Sequence, residues 1–376
     1  MRKAFISPAK YVQGEDELLN LGYFVSTFGK KALLIAHPDD ISRVKEKLDQ
    51  TAAKFSISLI PSNFQGEVSG REVARLKKVA AENECDCVVG LGGGKAIDAA
   101  KCVAEGQRLI VVPTIVATDA PTSHCAVLYT EDGLFDRYVY FVQNPSVVLI
   151  DTVIIANAPT RFLVSGMGDA LSTYFEARAV RNAYANVDAG LACGAQDGSC
   201  PPAKGTNAAF ALASYCYETL LEDGVKAKEA SDNNVVTPAL ENIIEANSLL
   251  SGLGFESGGL AAIHAIHDGL SVLPSARSAT HGEKVSFCTI CQLVLENAPT
   301  EELREVLDFS LSVGLPVCLA DIGIEEITEA ELTAAATKAC AKEEPIEAMP
   351  FPITIEQVKA AIVVADRLGA AHKASK

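Results

Sequence analysis

Through Asp151, short apolar runs alternate with longer segments whose apolar positions recur every three or four residues. Residues 30–36 (KKALLIA), 56–62 (SISLIPS), 85–92 (CDCVVGLG) and 109–113 (LIVVP) read as strands. Between them, 41–55, 70–84 and 95–106 carry the helical spacing. Strands and helices alternating at these lengths predict a parallel sheet with helices on both faces. Residues 127–151 predict a hairpin followed by a last buried strand. The pattern changes around Asn157-Ala158-Pro159-Thr160, after which nearly every segment has the helical period. The expected architecture is an α/β domain over 1–159 followed by an all-helical domain over 160–376. No internal repeat or low-complexity tract interrupts it, and the final HKASK is expected to fray.

Composition narrows the class. With 376 residues, 49% of them hydrophobic and 21% charged, the chain reads as a soluble globular protein of two domains. A net charge of −16 argues against nucleic acid or an anionic membrane as partner, because both require a basic surface. Neither a secretory leader nor an apolar run of about 18 residues is found, so a cytoplasmic location is expected. The eleven cysteines lack zinc-finger spacing and read as small buried hydrophobes in a reducing compartment. Cys193 and Cys200 bracket a Gly/Pro-rich loop that could carry a bridge in an oxidising one.

Four stretches carry candidate chemistry. Residues 252–284 hold His264, His267 and His281, three of the chain's six histidines, among glycines that allow close backbone approach. His264 and His267 lie three apart on one helical face, and His281 sits in a turn beyond the Pro274 break. Each alone reads first as a hydrogen-bonded core residue; the cluster instead suggests a catalytic zinc held by two histidines of this stretch and one further ligand, expected to be a carboxylate from elsewhere. Asp169, at the start of a helix, is a candidate for it, or else a cap. Glu176 is expected to face solvent or to pair with Arg178 or Arg181.

Gly90-Leu-Gly-Gly-Gly-Lys95 lies between a strand and a helix, where glycine N–H groups and a helix N-terminus cradle phosphate. Ala96 stands where a magnesium-binding Ser/Thr would follow the lysine, which favours a dinucleotide over a nucleoside triphosphate. Pro113–Ser123, at a strand's carboxyl end, adds Thr114, Thr118, Ser123 and the carboxylate of Asp119 to that cleft.

Taken together, GLGGGKAIDAAK (90–101), PTIVATDAPTS (113–123), YTEDGLFDRY (129–138), GMGDALSTYFEAR (166–178), VVTPALENIIEAN (235–247), GFESGGLAAIHAIHDGL (254–270) and HGEKV (281–285) resemble the glycerol dehydrogenase branch of the iron-containing, or group III, alcohol dehydrogenases. The resemblance implies a Rossmann-like first domain and a helical second one, with the active site between them. It places Asp169, His264 and His281 on the metal ligands. Gly93, Gly94 and Lys95 fall on the pyrophosphate loop. Asp98, Thr114, Ile115, Val116, Ala117, Ser123, Cys125 and Tyr129 fall on NAD-binding positions. Asp119 falls on the carboxylate that holds a polyol, with Phe255 beside it, and octameric assembly is implied. The reaction implied is reversible zinc-dependent, NAD-linked oxidation of glycerol to dihydroxyacetone; His267, one helical step from His264, is read as a proton relay or else a cofactor contact.

Three positions and one stretch depart from that pattern. Thr173 replaces a further histidine ligand, which points to zinc with three protein ligands instead of iron. His37 replaces the acid expected to bond the adenosine ribose, with Asp39 or Asp40 as substitutes. Ala117 replaces a serine, and Tyr184–Gly205 reads as an insertion. A dehydroquinate synthase-like lyase and a glycerol-1-phosphate dehydrogenase are the rivals on the same fold. Both act on phosphorylated substrates, which a carboxylate at 119 repels, and no Lys or Arg occurs in 254–270.

Overall fold

The computed structural model describes every residue of the chain except Gly106. Six parallel strands form one sheet in the order β1 (Tyr11–Gly14), β8 (Val147–Asp151), β5 (Leu109–Pro113), β4 (Cys87–Gly92), β2 (Lys31–Ala36), β3 (Ser58–Asn63). Strands β4, β5 and β8 are buried at every position, as their unbroken apolar runs require of a sheet covered on both faces. The remaining strands, β6 (Cys125–Tyr129) and β7 (Phe135–Tyr140), form the expected antiparallel hairpin. Helices α1 (Leu21–Ser26), α2 (Pro38–Phe55), α3 (Gly70–Glu82) and α4 (Gly94–Ala104) link the strands. The helix expected over 95–106 ends at Ala104, and its last expected position, Gly106, lies outside the described residues.

Strand β1 and helix α1 were not legible. Strand β1 has four half-buried residues and no alternation, and only its pairing with β8 makes it a strand. The glycine-rich loop therefore follows the fourth strand and not the third. The sheet order reverses between β2, which leads outward to β3, and β4, which leads inward to β5. The crevice at their carboxyl ends is where open α/β sheets bind ligands.

From Thr152 onward the chain is helical: α5 (Thr152–Ala156), α6 (Thr160–Ala183), α7 (Asn207–Asp232), α8 (Pro238–Glu245), α9 (Ser251–Gly258), α10 (Ala262–Ser271), α11 (His281–Leu295), α12 (Thr300–Val313), α13 (Glu329–Ala339) and α14 (Ile355–Ala374). Helix α6 is buried on nearly every side, which explains its weak amphipathic signature. A wide π-type turn at Ala246–Leu250 joins α8 to α9 and buries Asn247 and Ser248 against the 113–124 loop. Asn247 Nδ2 donates to Val116 O at 3.2 Å and to Leu163 O at 3.0 Å, while Thr122 donates its hydroxyl to Ser248 O at 2.9 Å. Glu256 accepts the backbone N–H of His124 at 2.6 Å and Nδ2 of Asn144 at 2.5 Å. These contacts bolt the 113–124 loop to the helices.

Among the described residues no single helix is long and apolar enough to cross a membrane. The apolar pair 238–258 and 262–271, bent by 104°, is mostly buried. All eleven cysteines are unbridged, Cys193 and Cys200 included.

Candidate metal centre and coenzyme cleft

Asp169 is the tenth residue of α6, not a residue of its first turn, and it is buried. Small residues around it bring two other elements within reach. A Cβ at Gly166 would strike Val116 O and the Asn247 amide, and one at Gly282 would strike Ser165 O. The resulting close approach seats the start of α11 on α6. His281, expected in a turn, is instead the first residue of α11, whose N-terminus is closed by the Thr280/Glu283 capping box. Its Nε2 lies 3.1 Å from Asp169 Oδ1, and Nε2 of His264 on α10 lies 3.6 Å from the same oxygen. One ligand atom from each of the three residues falls within 4.8 Å of the others.

Glu176 corrects the reading of its position. It is fully buried two turns along α6 from Asp169, facing neither solvent nor Arg178 nor Arg181. His264 Nδ1 lies 2.6 Å from its Oε2, and its Oε1 accepts the backbone N–H groups of Ala261 and His264 at 2.8 and 3.0 Å. A proton fixed on Nδ1 leaves Nε2 as the lone-pair nitrogen facing Asp169. The helical spacing of seven from Asp169 was the available signal. Arg178 pairs instead with Glu296 and Glu302. Thr173, one turn from Asp169, hydrogen-bonds Ser251 Oγ at 2.9 Å.

Burial would raise the Asp169 carboxyl, but His281 and His264 hold it well below the usual carboxylate range. Burial likewise opposes charge on His264, yet Glu176 and Asp169 carry its pKa well above that of an ordinary imidazole. Both directions have one cause: the pocket favours positive charge between these groups. Two imidazole nitrogens and a carboxylate oxygen converging this way form the donor set of a catalytic zinc or ferrous ion. The residues fit a metal.

Asp119 stands beside this trio. Its backbone N–H donates to Asp169 Oδ2 at 3.2 Å, and Ser251 donates its hydroxyl to Asp119 Oδ2 at 2.7 Å. Burial, reinforced by the Asp169 charge, pushes its carboxyl well above the usual range. Half-buried Phe255 lies one turn beyond Ser251 on α9. His267 packs its ring 4.3 Å from that of His281, but both of its nitrogens are engaged, with Asp268 at 2.8 Å and Ser271 at 3.3 Å. Burial, with His281 alongside, pushes His267 down to about 3. Asp268 in turn accepts the Tyr138 hydroxyl at 3.0 Å. The fold also brings in two lysines from outside 254–270. Lys284 donates to Ser271 at 2.7 Å, and fully buried Lys101 donates to Ala120 O and Cys125 O, both at 2.6 Å, and to Ser123 Oγ at 3.0 Å. Neither was foreseen, and Lys101 pins the loop that carries Asp119.

At the crevice, Gly92 adopts φ +145°, and Gly93 caps α4 without a side-chain acceptor, leaving the first N–H groups of the helix for an anion. Lys95 pairs with Glu67 at 2.6 Å and lies over the Tyr129 ring. His37 caps α2 through Nδ1, 3.3 Å from the Asp39 N–H. Of the two candidate acids, Asp39 is exposed. Asp40 faces the crevice, accepting the Thr114 hydroxyl at 3.2 Å. Ile115 lies against Gly93. Other expected cofactor positions turn inward. Val116 is buried and gives its carbonyl to Asn247, Ala117 O accepts from Ser165 at 3.1 Å, and Asp98 accepts the Val127 N–H at 3.0 Å.

Comparison with known proteins agrees with this geometry. Residues 8–152 match the model of the family described as iron-containing alcohol dehydrogenase. A glycerol dehydrogenase of Escherichia coli O6:H1 is 44% identical over 371 residues, covering 98% of each chain. A glycolaldehyde reductase of Halobacterium salinarum is 41% identical over the same share. The crystal structure of a probable glycerol dehydrogenase from Sinorhizobium meliloti 1021 superposes with a TM-score of 0.90 at 40% identity, covering 99% of this chain and 100% of that one. The chain belongs to the iron-containing alcohol dehydrogenase family, on its glycerol dehydrogenase branch.

Proposed function

We propose that this chain is a metal-dependent, NAD-linked polyol dehydrogenase that interconverts glycerol and dihydroxyacetone. The observation that carries the reading is the Asp169/His264/His281 trio with the Asp119 carboxylate beside it, at the mouth of a dinucleotide crevice. Asp169, His264 and His281 would hold one zinc ion per subunit, favoured over iron because Thr173 is turned to Ser251 and offers no further histidine. When bound, the metal polarises a substrate oxygen as a Lewis acid and the nicotinamide accepts the hydride.

The chain's own residues do the rest. Asp119, oriented by Ser251, bonds the substrate hydroxyl that does not react and so sets which carbon faces the coenzyme. Phe255 covers the substrate's apolar face. His267, neutral at physiological pH and bonded by Ser271 and Asp268, relays the alcohol proton to Asp268, whose carboxylate also accepts the Tyr138 hydroxyl. Gly93 and Gly94 receive the coenzyme pyrophosphate, and Asp40, in place of an acid at position 37, bonds its adenosine ribose. Two adjacent carboxylates, Asp119 and Asp169, disfavour the phosphorylated substrates of the lyase and glycerol-1-phosphate readings. Two functional lobes meeting near residue 160, a cytoplasmic setting suited to unbridged cysteines and the octameric assembly of the resemblance complete the proposal.

Absorbance at 340 nm with glycerol, comparing NAD⁺ with NADP⁺ before and after chelation and zinc or iron add-back, tests it. Zinc-restored NADH formation is the expected result. Metal-loaded protein that turns over no vicinal diol with either coenzyme defeats it.

A further inference from the structure

Residues 184–205 supply none of the residues assigned above to the metal trio or the coenzyme crevice, yet they are firmly held. Arg2 donates to Pro201 O and Cys193 O, Lys204 N to Arg2 O at 3.0 Å, and Ala4 N to Lys204 O at 3.1 Å. With α6 and α7 this link walls a cavity of about 350 Å³, within the size range of small-ligand sites.

The lining includes Lys3, Arg181 and Lys204 and no Asp or Glu, in a chain whose net charge is −16. The main-chain pairing sets Lys3 in parallel register with Lys204. The register therefore places two cationic side chains at one edge of the cavity, where an anion would be attracted. The guanidinium carbon of exposed Arg181 lies 4.4 Å from the centre of the Phe210 ring, a contact that holds the group at the cavity while its N–H groups remain available for bidentate bonding. None of the three cations makes an ion pair among the described residues, whereas neighbouring Arg178 is held by two glutamates. Thr206 and Asn207 add neutral donors, and Val180 and Phe210 supply an apolar wall.

We infer that this cavity binds a phosphate group, either free or as the head of a small phosphomonoester whose organic part lies on Val180 and Phe210. The site is separate from the metal centre: it abuts Gly258 at the far end of α9, whereas Ser251, at the start of that helix, holds Asp119. It does not rest on the proposed reaction.

Metal-loaded protein saturated with NAD⁺, so that the glycine-rich loop is filled, is titrated calorimetrically with phenyl phosphate and with inorganic phosphate at constant ionic strength in chloride. One site per subunit is expected, weakened roughly tenfold or more by combined Arg181→Gln and Lys204→Gln, with NAD⁺ affinity and melting temperature unchanged. Lys3→Gln, at an exposed side chain, shifts binding in the same direction and serves if the double variant folds poorly. Tighter binding of phenyl phosphate marks the ester as the ligand, and equal binding marks the free ion. Heat no greater than the chloride control, or wild-type binding by the variants, overturns the inference. A failure of the coenzyme reading shows separately, in the NAD⁺ titration made first.

Discussion

The carboxylate of Glu176 lies 2.6 Å from Nδ1 of His264 and so determines which imidazole nitrogen faces Asp169. Glu176→Gln keeps the volume but removes the charge that orients the ring. Metal affinity is expected to fall about 10–100-fold, as for other partners of metal-bound histidines. Competition with a chromogenic chelator measures it, and an unchanged constant removes Glu176 from the site.

Gly282 allows α11 to rest on α6. A methyl group there meets Ser165 O and lies 3.0 Å from the Asp169 N–H nitrogen. Gly282→Ala is expected to cost about 1–3 kcal/mol by overpacking and to displace His281. Metal content should therefore drop while the sheet stays folded, which metal analysis alongside circular dichroism resolves.

Asp119→Asn leaves Asp169, His264 and His281 intact and removes one of two adjacent carboxylates. Loss of a charged hydrogen bond to substrate, worth about 1.5–3 kcal/mol, lowers kcat/KM for glycerol by about 10–100-fold. Zinc stoichiometry should not change. Loss of zinc instead would make Asp119 part of the metal site.

His267 titrates near 6.5 in an unfolded chain and at about 3 in the fold. Below about 6.5 the unfolded state gains a proton that the native state refuses, so stability falls as pH drops toward 3. His267→Gln should flatten that slope in the metal-free protein, read from urea midpoints at pH 7 and pH 5. Separately, an unaltered pH–rate profile for His267→Ala would end its assignment as proton relay.

His37 contributes a helix cap and no carboxylate to the coenzyme crevice, while Asp40 faces it. His37→Asp is expected to lower the use of NADP⁺ relative to NAD⁺, because an acid repels a 2′-phosphate. Asp40→Asn should act in the opposite direction. Matched KM values for the two coenzymes test both.

Most of the sheet and most helices from Thr160 onward were legible, because buried parallel strands and long periodic helices impose their spacing on the chain, whereas the glycine-rich α9 carries no such period. Strand β1 was not, since its order comes from β8 and not from its own residues. The three residues of the candidate metal trio could be named from motifs. Their support could not: Glu176 looks like any charged helix residue until its partner 88 positions away is known. Lys101 was hidden for the same reason, bonded across a turn to a loop about 20 residues on.

The glycines at 166, 168 and 282 leave no room for a side chain, each pressed against the backbone of another element. Natural variation therefore cannot shift the metal by small steps; that wall is inherited whole or lost. The coenzyme side is looser, with a half-exposed His37 and an alanine at 117. Drift in coenzyme choice can accumulate there while the chemistry at the metal stays fixed. Descendants of this fold would then differ first in which electron carrier they use, and only later, if at all, in how they activate an alcohol.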